Sequence, residues 1–275
     1  MIPNPIKPSF AMSDELYRDR GSQWIMRRMI LMALLANILW SQPRVVVIAH
    51  RGEHLRHPEN TLEAFAAAAE VGADFIEVDV RTTADGRLVL MHDATVDRMT
   101  GGHGPVAAMT FDEVRRLRVG GKAQVPTFDE ALALARDKNV SVYVDSKSIT
   151  AADAVAAIER YGMAERVVIY GGESYLSELA AMRPKLRVMP EARDAATLRR
   201  LLAAMPLKVV AFDARDFNDE TIAVAKAAKV AIYVDRLGPA DNATAWRDAV
   251  DRGAAGIQTD HPAELVGYLR TKGLR

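Results

Sequence analysis

From Val45 onward, short runs of β-branched and other apolar residues alternate with longer stretches whose apolar positions recur at helical spacing. Nine runs are predicted strands: Val45–Ala49, Phe75–Val80, Leu88–Met91, Val140–Val144, Val167–Ile169, Leu186–Met189, Val209–Phe212, Val230–Val234 and Gly256–Gln258. Seven stretches are predicted helices: Thr61–Val71, Phe128–Lys138, Ala151–Tyr161, Tyr175–Met182, Ala195–Ala204, Asp219–Ala228 and Ala243–Arg252. This alternation predicts right-handed βαβ units and a parallel sheet that is buried on both faces.

The spacing of the strands narrows the fold class further. Only seven residues separate Val80 from Leu88, and they include the turn dipeptide Asp85-Gly86. A parallel crossover needs about a dozen residues or more, so these two strands are predicted to form a hairpin. Eight strands then remain for a (β/α)8 TIM barrel, an α/β fold, over residues 44–275. The alternative, a doubly wound sheet, lacks both glycine-rich nucleotide-binding fingerprints.

The first 43 residues differ from the rest of the chain. Met29–Trp40 is an apolar run of twelve residues directly after Arg27 and Arg28, and it is shorter than the ~20 residues of a membrane span. A basic segment followed by such a run is typical of a signal peptide, here Met26–Ser41, which predicts a periplasmic or secreted protein. The alternative is a packing helix in a cytoplasmic protein, and the long acidic stretch that precedes Met26 favours it unless translation starts at Met26.

Composition excludes several classes of function. Lys plus Arg equals Asp plus Glu at 36 each, so the chain has no net charge that would favour nucleic acid or an anionic membrane. The chain has no cysteine, which rules out disulfides, thiolate zinc sites, iron–sulfur clusters and a cysteine nucleophile. The oligomeric state stays open.

Ionisable residues collect at the carboxyl ends of the predicted strands, where barrel enzymes place their chemistry. They are His50, Arg51, Glu77, Asp79, His92, Asp145 and Lys147. Glu77 and Asp79 are two apart on a strand, so both carboxylates project from one face. Two adjacent buried carboxylates repel each other, and a bound cation is the usual remedy. With Asp145 as a third oxygen ligand, the set suits Mg²⁺ or Ca²⁺ better than zinc.

Each residue also has a simpler interpretation. A single histidine at a strand end is often only a hydrogen-bonded structural residue, and an isolated Glu-x-Asp can be a solvated edge. The convergence of acid, base, metal ligands and cationic groups at one rim favours phosphoryl chemistry instead. Asp213 either lines this rim or caps the next helix. Glu53, His54 and His57 are interpreted as solvated loop residues.

Five motifs within about fifty residues resemble the glycerophosphodiester phosphodiesterase family, in the phospholipase C-like phosphodiesterase superfamily. They are His50-Arg51-Gly52, Pro58-Glu59-Asn60-Thr61, Glu77-Val78-Asp79, Thr83-Ala84-Asp85-Gly86 and His92-Asp93-Ala94-Thr95-Val96-Asp97-Arg98. The resemblance continues through Val125-Pro126-Thr127-Phe128 and ends in Gly256-Ile257-Gln258-Thr259-Asp260-His261-Pro262. It implies a TIM barrel with a small insertion after the His-Asp motif, here about residues 94–124.

The resemblance also implies an activity of glycerol and lipid metabolism. It is the metal-dependent hydrolysis of a small-molecule glycerophosphodiester to glycerol 3-phosphate and an alcohol. His50 and His92 match the family's acid and base, Glu77 and Asp79 its metal ligands, and Arg51 a phosphate contact, which a lysine such as Lys147 would assist. Two departures are the Asp145-Ser146-Lys147 stretch, where the family usually has Glu-x-Lys, and Tyr233-Val234-Asp235, where it often has aromatic-Thr-Val-Asn.

Three other functions stay open at this point. The same site would serve a lysophospholipid or another phosphodiester. A barrel that binds phosphodiesters without hydrolysing them is the non-catalytic alternative, although binding alone has no need for two proton-transfer groups such as His50 and His92. A metal-dependent sugar-phosphate isomerase or aldolase is possible because the fold alone does not define function.

Overall fold

The computed structural model describes residues 44–275, and this part of the chain holds eleven strands. They are β1 (Val46–Ala49), β2 (Phe75–Thr82), β3 (Leu88–Leu90), β4 (Arg118–Val119), β5 (Ala123–Gln124), β6 (Ser141–Ser146), β7 (Val167–Tyr170), β8 (Arg187–Met189), β9 (Val209–Phe212), β10 (Ala231–Arg236) and β11 (Gly256–Thr259). Eight of them run parallel in the order β8-β7-β6-β2-β1-β11-β10-β9. The backbone of Ala211 then bonds to Pro190 and Ala192 beyond β8, which nearly closes the barrel.

Nine α-helices lie in the described residues. They are α1 (Leu62–Val71), α2 (Phe111–Arg116), α3 (Phe128–Asp137), α4 (Ala151–Arg160), α5 (Glu173–Met182), α6 (Ala195–Ala204), α7 (Asp219–Ala227), α8 (Ala243–Asp251) and α9 (Pro262–Thr271). A helix other than α2 follows each parallel strand in the chain, so the predicted (β/α)8 barrel is confirmed. The hairpin is also confirmed, because β3 pairs antiparallel with β2.

Side-chain capping sets the start of most of these helices. Thr61 caps α1, and Thr127 forms a capping box with Glu130 at α3, so each satisfies backbone N–H groups that have no partner inside the helix.

Two helices, α2 and α9, were not predicted. The short α2 has only six residues, and α9 contains Gly267, which weakens the local helical signal. Burial of three apolar side chains stabilises α9: Leu265, Val266 and Leu269.

The hydrophobic core has an outer and an inner layer. The outer layer lies between the strands and the helices and contains Phe65 and Phe128, both fully buried. The inner layer fills the barrel with side chains such as Ile48, Phe75 and Tyr143. Toward the carboxyl ends of β2 and β6 the inward positions change from aromatic to ionisable, with Phe75 followed by Glu77 and Asp79, and Tyr143 followed by Asp145.

The segment after the His92-Asp93 pair folds beside the mouth. Residues 94–124 include α2 and the two-stranded sheet of β4 and β5, around a small separate core that contains Val96 and Val114.

The interpretation of Met26–Ser41 as a signal peptide falls outside the described residues and stays a prediction. Within residues 44–275, no helix has the length and apolar character that crossing a membrane requires.

We expect that Phe128→Ala lowers the free energy of unfolding by about 3–5 kcal/mol, because the truncation removes buried apolar surface and leaves a cavity. Leu55→Ala is the matched control, since Leu55 is 54% exposed and its change should cost little. Urea unfolding followed by circular dichroism measures both. Equal losses for the two variants would contradict this description of the core.

Candidate active site

Three carboxylates meet at the carboxyl ends of β2 and β6. The parallel register places Asp79 beside Asp145 and Glu77 beside Tyr143. One oxygen from each of Glu77, Asp79 and Asp145 lies within 4.8 Å of the others. Glu77 and Asp79 are only 2% and 1% exposed. Burial raises the pKa of Glu77 well above its usual value, and the neighbouring charges of Asp79 and Asp145 raise it further.

Cationic and hydrogen-bonding groups offset part of this charge. The Lys147 ammonium lies 2.7 Å from Asp145 Oδ2 and 3.2 Å from Asp79 Oδ1. Asn60 donates from Nδ2 to Asp79 Oδ2 at 2.7 Å, and the backbone N–H of Asp79 donates to Asn60 Oδ1. Burial still raises the pKa of Asp145, although Lys147 opposes that rise. The cluster therefore keeps an excess of negative charge.

The loop between β1 and α1 brings His50 and Arg51 to the carboxylates. Arg51 has a positive φ of 52° and Gly52 one of 86°, so the chain turns sharply here. A Cβ atom at Gly52 would lie 2.7 Å from the backbone of Ala64, so only glycine fits without a shift of α1. The turn points the backbone N–H of Arg51 at Glu77 Oε2, at 2.8 Å. The Nε atom of Arg51 is buried and has no hydrogen-bond partner in the described structure.

His50 is held by a carboxylate from the other end of the chain. Its Nδ1 lies 2.7 Å from Asp260 Oδ1, and the N–H of Gly238 donates to Asp260 Oδ2. Burial alone would raise the pKa of Asp260, but these hydrogen bonds outweigh it and lower the pKa to about 2. His54 Nε2 also lies 3.5 Å from Asp260 Oδ1. The ionised Asp260 thus favours a proton on His50 Nδ1 and leaves Nε2 free as a base.

His92 is held in a similar way, but its carboxylate partner is also paired with an arginine. His92 Nδ1 lies 2.8 Å from Asp93 Oδ1, and Arg98 Nε donates to Asp93 Oδ2 at 2.6 Å. Hydrogen bonds from Arg98 and His92 lower the pKa of Asp93. Arg98 also donates to Glu59, which accepts from Arg51 at 3.1 Å. This chain of ion pairs connects the loop after β1 with the loop after β3.

All seven site residues predicted from the sequence lie at this one mouth of the barrel. Lys147 forms ion pairs with Asp79 and Asp145, and Arg51 forms ion pairs with Glu59 and Asp79. The interpretation of two loop residues as solvated is wrong: Glu53 is 3% exposed, and His54 is half-buried with its Nδ1 2.8 Å from the carbonyl of His50.

Sequence reasoning missed the residues that support the site. Asp260 and Asn60 belong to motifs that carry the family resemblance, but no role was predicted for either residue. Asp260 lies 210 positions from His50, so no local spacing could pair them. Asp213 stood between two interpretations, and the structure decides for the rim, because the side chain that caps α7 is Asn218.

The carboxylate cluster fits a divalent cation. Its three donors are hard oxygen ligands, two of them are buried, and they are close enough to contact one ion together. The predicted set of Glu77, Asp79 and Asp145 is thus brought together by the structure, and it can hold a metal.

A parallel barrel with its ionisable groups at the carboxyl ends of the strands is the architecture of a TIM-barrel protein with its site at that mouth. Comparison with known proteins defines the class more closely. The model of the glycerophosphoryl diester phosphodiesterase family matches residues 50–264, and the chain belongs to this family.

Similar proteins carry the same description. A glycerophosphodiester phosphodiesterase of Caldanaerobacter subterraneus subsp. tengcongensis is 39% identical over 159 residues, which is 53% of this chain and 65% of that protein. The match thus spans just under two thirds of that relative's length. The crystal structure of a glycerophosphodiester phosphodiesterase from Agrobacterium tumefaciens has a TM-score of 0.72 and 27% identity, over 81% of this chain and 99% of that one. An Oleispira antarctica phosphodiesterase, solved with the product sn-glycerol-3-phosphate, has the same fold, with a TM-score of 0.75 and 20% identity over 82% and 97% of the two chains.

We expect that Glu77→Gln stabilises the metal-free protein at pH 7–8 and abolishes its stabilisation by a divalent cation. The pKa of Glu77 is higher in the folded protein than in the unfolded chain. The free energy of unfolding therefore falls as the pH rises from the unfolded pKa to the folded pKa, because the unfolded chain releases the proton first. Glutamine removes this charge and keeps an acceptor for the N–H of Arg51. At about 100 times its dissociation constant, the cation should stabilise the wild type by about 2.7 kcal/mol.

Thermal unfolding with chelator, and then with Ca²⁺ or Mg²⁺, measures both effects. Glu264→Gln is the control, because this glutamate at the start of α9 is 68% exposed and lies outside the cluster. An equal shift on adding the cation to the wild type and to Glu77→Gln would exclude Glu77 as a ligand.

Proposed function

We propose that this protein hydrolyses glycerophosphodiesters to glycerol 3-phosphate and an alcohol, with a divalent cation and two histidines. The observation that carries this proposal is one mouth that contains a buried carboxylate cluster and two carboxylate-held histidines, His50 and His92. Family membership supports the reaction class. The product bound to the Oleispira antarctica enzyme, on the same fold, supports glycerol 3-phosphate as the product.

The cation would be held by Glu77, Asp79 and Asp145. When bound, it supplies positive charge that stabilises the negative charge on the phosphoryl oxygens. Arg51 and Lys147 are the cationic side chains beside this cluster, and both are half-buried. The Nε–H of Arg51 lies 3.4 Å from Asp79 Oδ2 without forming a hydrogen bond in the described structure, so it is a donor that a phosphoryl oxygen can accept from.

The two histidines perform the proton transfers. Asp93, the partner of His92, also forms an ion pair with Arg98. Asp260, the partner of His50, forms its ion pairs in the described structure with the imidazoles of His50 and His54. On this difference in partners we assign the role of base to His50 and the role of acid to His92. His50 Nε2 takes the proton of the attacking oxygen as its bond to phosphorus forms, and His92 gives a proton to the alkoxide as the other phosphorus–oxygen bond breaks. Attack by water gives glycerol 3-phosphate directly, whereas attack by the glycerol 2-hydroxyl gives a cyclic phosphate, which water then opens with the two histidines in exchanged roles.

The reaction is tested by the release of glycerol 3-phosphate from glycerophosphocholine and glycerophosphoethanolamine. We expect release with Mg²⁺ or Ca²⁺, loss of release in chelator, and recovery when the cation is restored. Asp79→Asn should lower kcat by about 100-fold or more, because it removes a ligand and a charge from the cluster. A folded protein that binds these diesters without hydrolysing them would favour the non-catalytic barrel and contradict the proposal.

The roles of the histidines are separated by a substrate with a good leaving group. We expect both His50→Ala and His92→Ala to lower kcat by about 100-fold or more on glycerophosphocholine. On the p-nitrophenyl ester of glycerol 3-phosphate, His92→Ala should recover most activity, because p-nitrophenolate leaves without a proton. His50→Ala should stay inactive.

His103→Ala is the matched control, since the side chain of His103 is 89% exposed. Equal losses for His50→Ala and His92→Ala on the p-nitrophenyl ester would contradict this division of roles.

A further inference from the structure

The half of the mouth opposite β2 is acidic. Glu191 follows β8, Asp213 and Asp216 follow β9, and Asp235 lies near the end of β10. Oxygen atoms of Glu191, Asp213 and Asp216 lie within 4.8 Å of one another. The carboxylates of Asp213 and Glu191 are close enough to raise the pKa of Asp235, after the larger effect of burial, to about 7. None of these residues takes part in the chemistry proposed above.

A buried acceptor without a partner faces the same space. Gln258 on β11 is 6% exposed, and its Oε1 has no hydrogen-bond partner in the described structure. In the strand register it lies beside Asp235 on one side and Ile48 on the other. Ile48 belongs to the core inside the barrel, so Gln258 also points inward. A buried carbonyl oxygen without a donor is costly, and a ligand with positive charge or a polar hydrogen would satisfy it.

A cavity lies between the ends of β6 and β8 and reaches from Asp145 to Glu191. Its volume is about 310 Å³, and its walls include Asp145, Tyr170 and Glu191. Asp145 is also near enough for its charge to contribute to the raised pKa of Asp235. One molecule bound in this cavity can therefore contact Asp145 at one end and Glu191 at the other.

Arginines neutralise only part of the acidic half. Arg215 lies 3.1 Å from Asp213 and 3.3 Å from Asp216, and Arg193 lies 3.9 Å from Glu191. Both arginine side chains are more than 70% exposed, so water screens them. A third arginine on the cavity wall, Arg200, is paired with Glu173. The three carboxylates of Glu191, Asp213 and Asp216 thus face two exposed arginines, which leaves negative charge in this half.

Aromatic rings complete the lining between the two halves. Tyr170 and Tyr143 lie with their ring centroids 6.0 Å apart on the inner face of the barrel. The Tyr170 hydroxyl donates to Glu191 at 2.5 Å, which increases the electron density of the ring toward the cavity. Negative carboxylates with an adjacent aromatic face form the usual surroundings of an organic cation.

We propose that the acidic half of the mouth binds the alcohol part of the substrate and selects glycerophosphodiesters whose alcohol is positively charged, as in choline and ethanolamine esters. This inference rests on the proposed function. The phosphate lies at Arg51 and Lys147, and the cationic alcohol lies toward Glu191 and Asp213. A neutral alcohol of similar size binds this half less well, because it leaves the charges there uncompensated.

The test compares kcat/KM for glycerophosphocholine with kcat/KM for glycerophosphoglycerol, whose alcohol is neutral. We expect the wild type to prefer the choline ester by about tenfold or more, mostly through KM, and the preference to fall as salt is added. In the double variant Glu191→Gln, Asp213→Asn the preference should fall by about tenfold, while kcat on glycerophosphoglycerol stays close to that of the wild type.

The control removes two negative charges from the same end of the barrel but outside the mouth. Glu220→Gln, Glu264→Gln changes two glutamates that are 71% and 68% exposed in the first turns of α7 and α9, and it should keep the wild-type preference. Inhibition of the wild type by free choline, compared with glycerol, gives a second measure that needs no variant. Choline should inhibit more strongly.

The outcomes separate this inference from the proposed function. Hydrolysis of both esters with equal kcat/KM in the wild type, or an unchanged preference in a folded Glu191→Gln, Asp213→Asn variant, overturns the cation subsite and leaves the phosphodiesterase intact. Failure to hydrolyse any glycerophosphodiester overturns the proposed function, and the subsite with it.

Discussion

The close approach of three carboxylates at the buried ends of β2 and β6 is the constraint on which the rest of the site depends. Parallel register forces Asp79 beside Asp145, and the side-chain alternation of a strand places Glu77 on the same inner face. Water reaches Glu77 and Asp79 hardly at all, so protein groups or a bound cation must offset their charge. The ammonium of Lys147 offsets part of this charge, and the cluster that remains can hold a cation.

The loops at the mouth are held by contacts that connect distant parts of the chain. His50 depends on Asp260 from the last strand–helix connection, and His92 depends on Asp93, whose position Arg98 fixes through Glu59. Such contacts restrict the imidazole rings without placing them in the rigid core. The barrel thus supplies a stiff frame, and its loops hold the two imidazole rings at the mouth.

The mouth has two electrostatic halves. Arg51 and Lys147 lie beside the carboxylate cluster, while Glu191 and Asp213 follow β8 and β9 on the other side of the mouth, where their arginine partners are exposed. A ligand with a negative and a positive end would be oriented by this arrangement before any contact forms, because opposite charges attract over several ångströms in a partly desolvated cleft. The division arises from the order of strands around the barrel, since residues from β8, β9 and β10 are brought opposite β2.

Features that follow from local periodicity could be predicted from the amino-acid sequence alone. Strand–helix alternation predicted the barrel, the short Val80–Leu88 spacing predicted the hairpin, and the spacing of Glu77 and Asp79 predicted a shared face. Three features could be recognised only in the folded chain: Asp260 holds His50, Glu53 is buried, and Asp213 and Glu191 lie together. These contacts join residues far apart in the chain, and their energies depend on the closing of the barrel, which no local pattern of residues encodes.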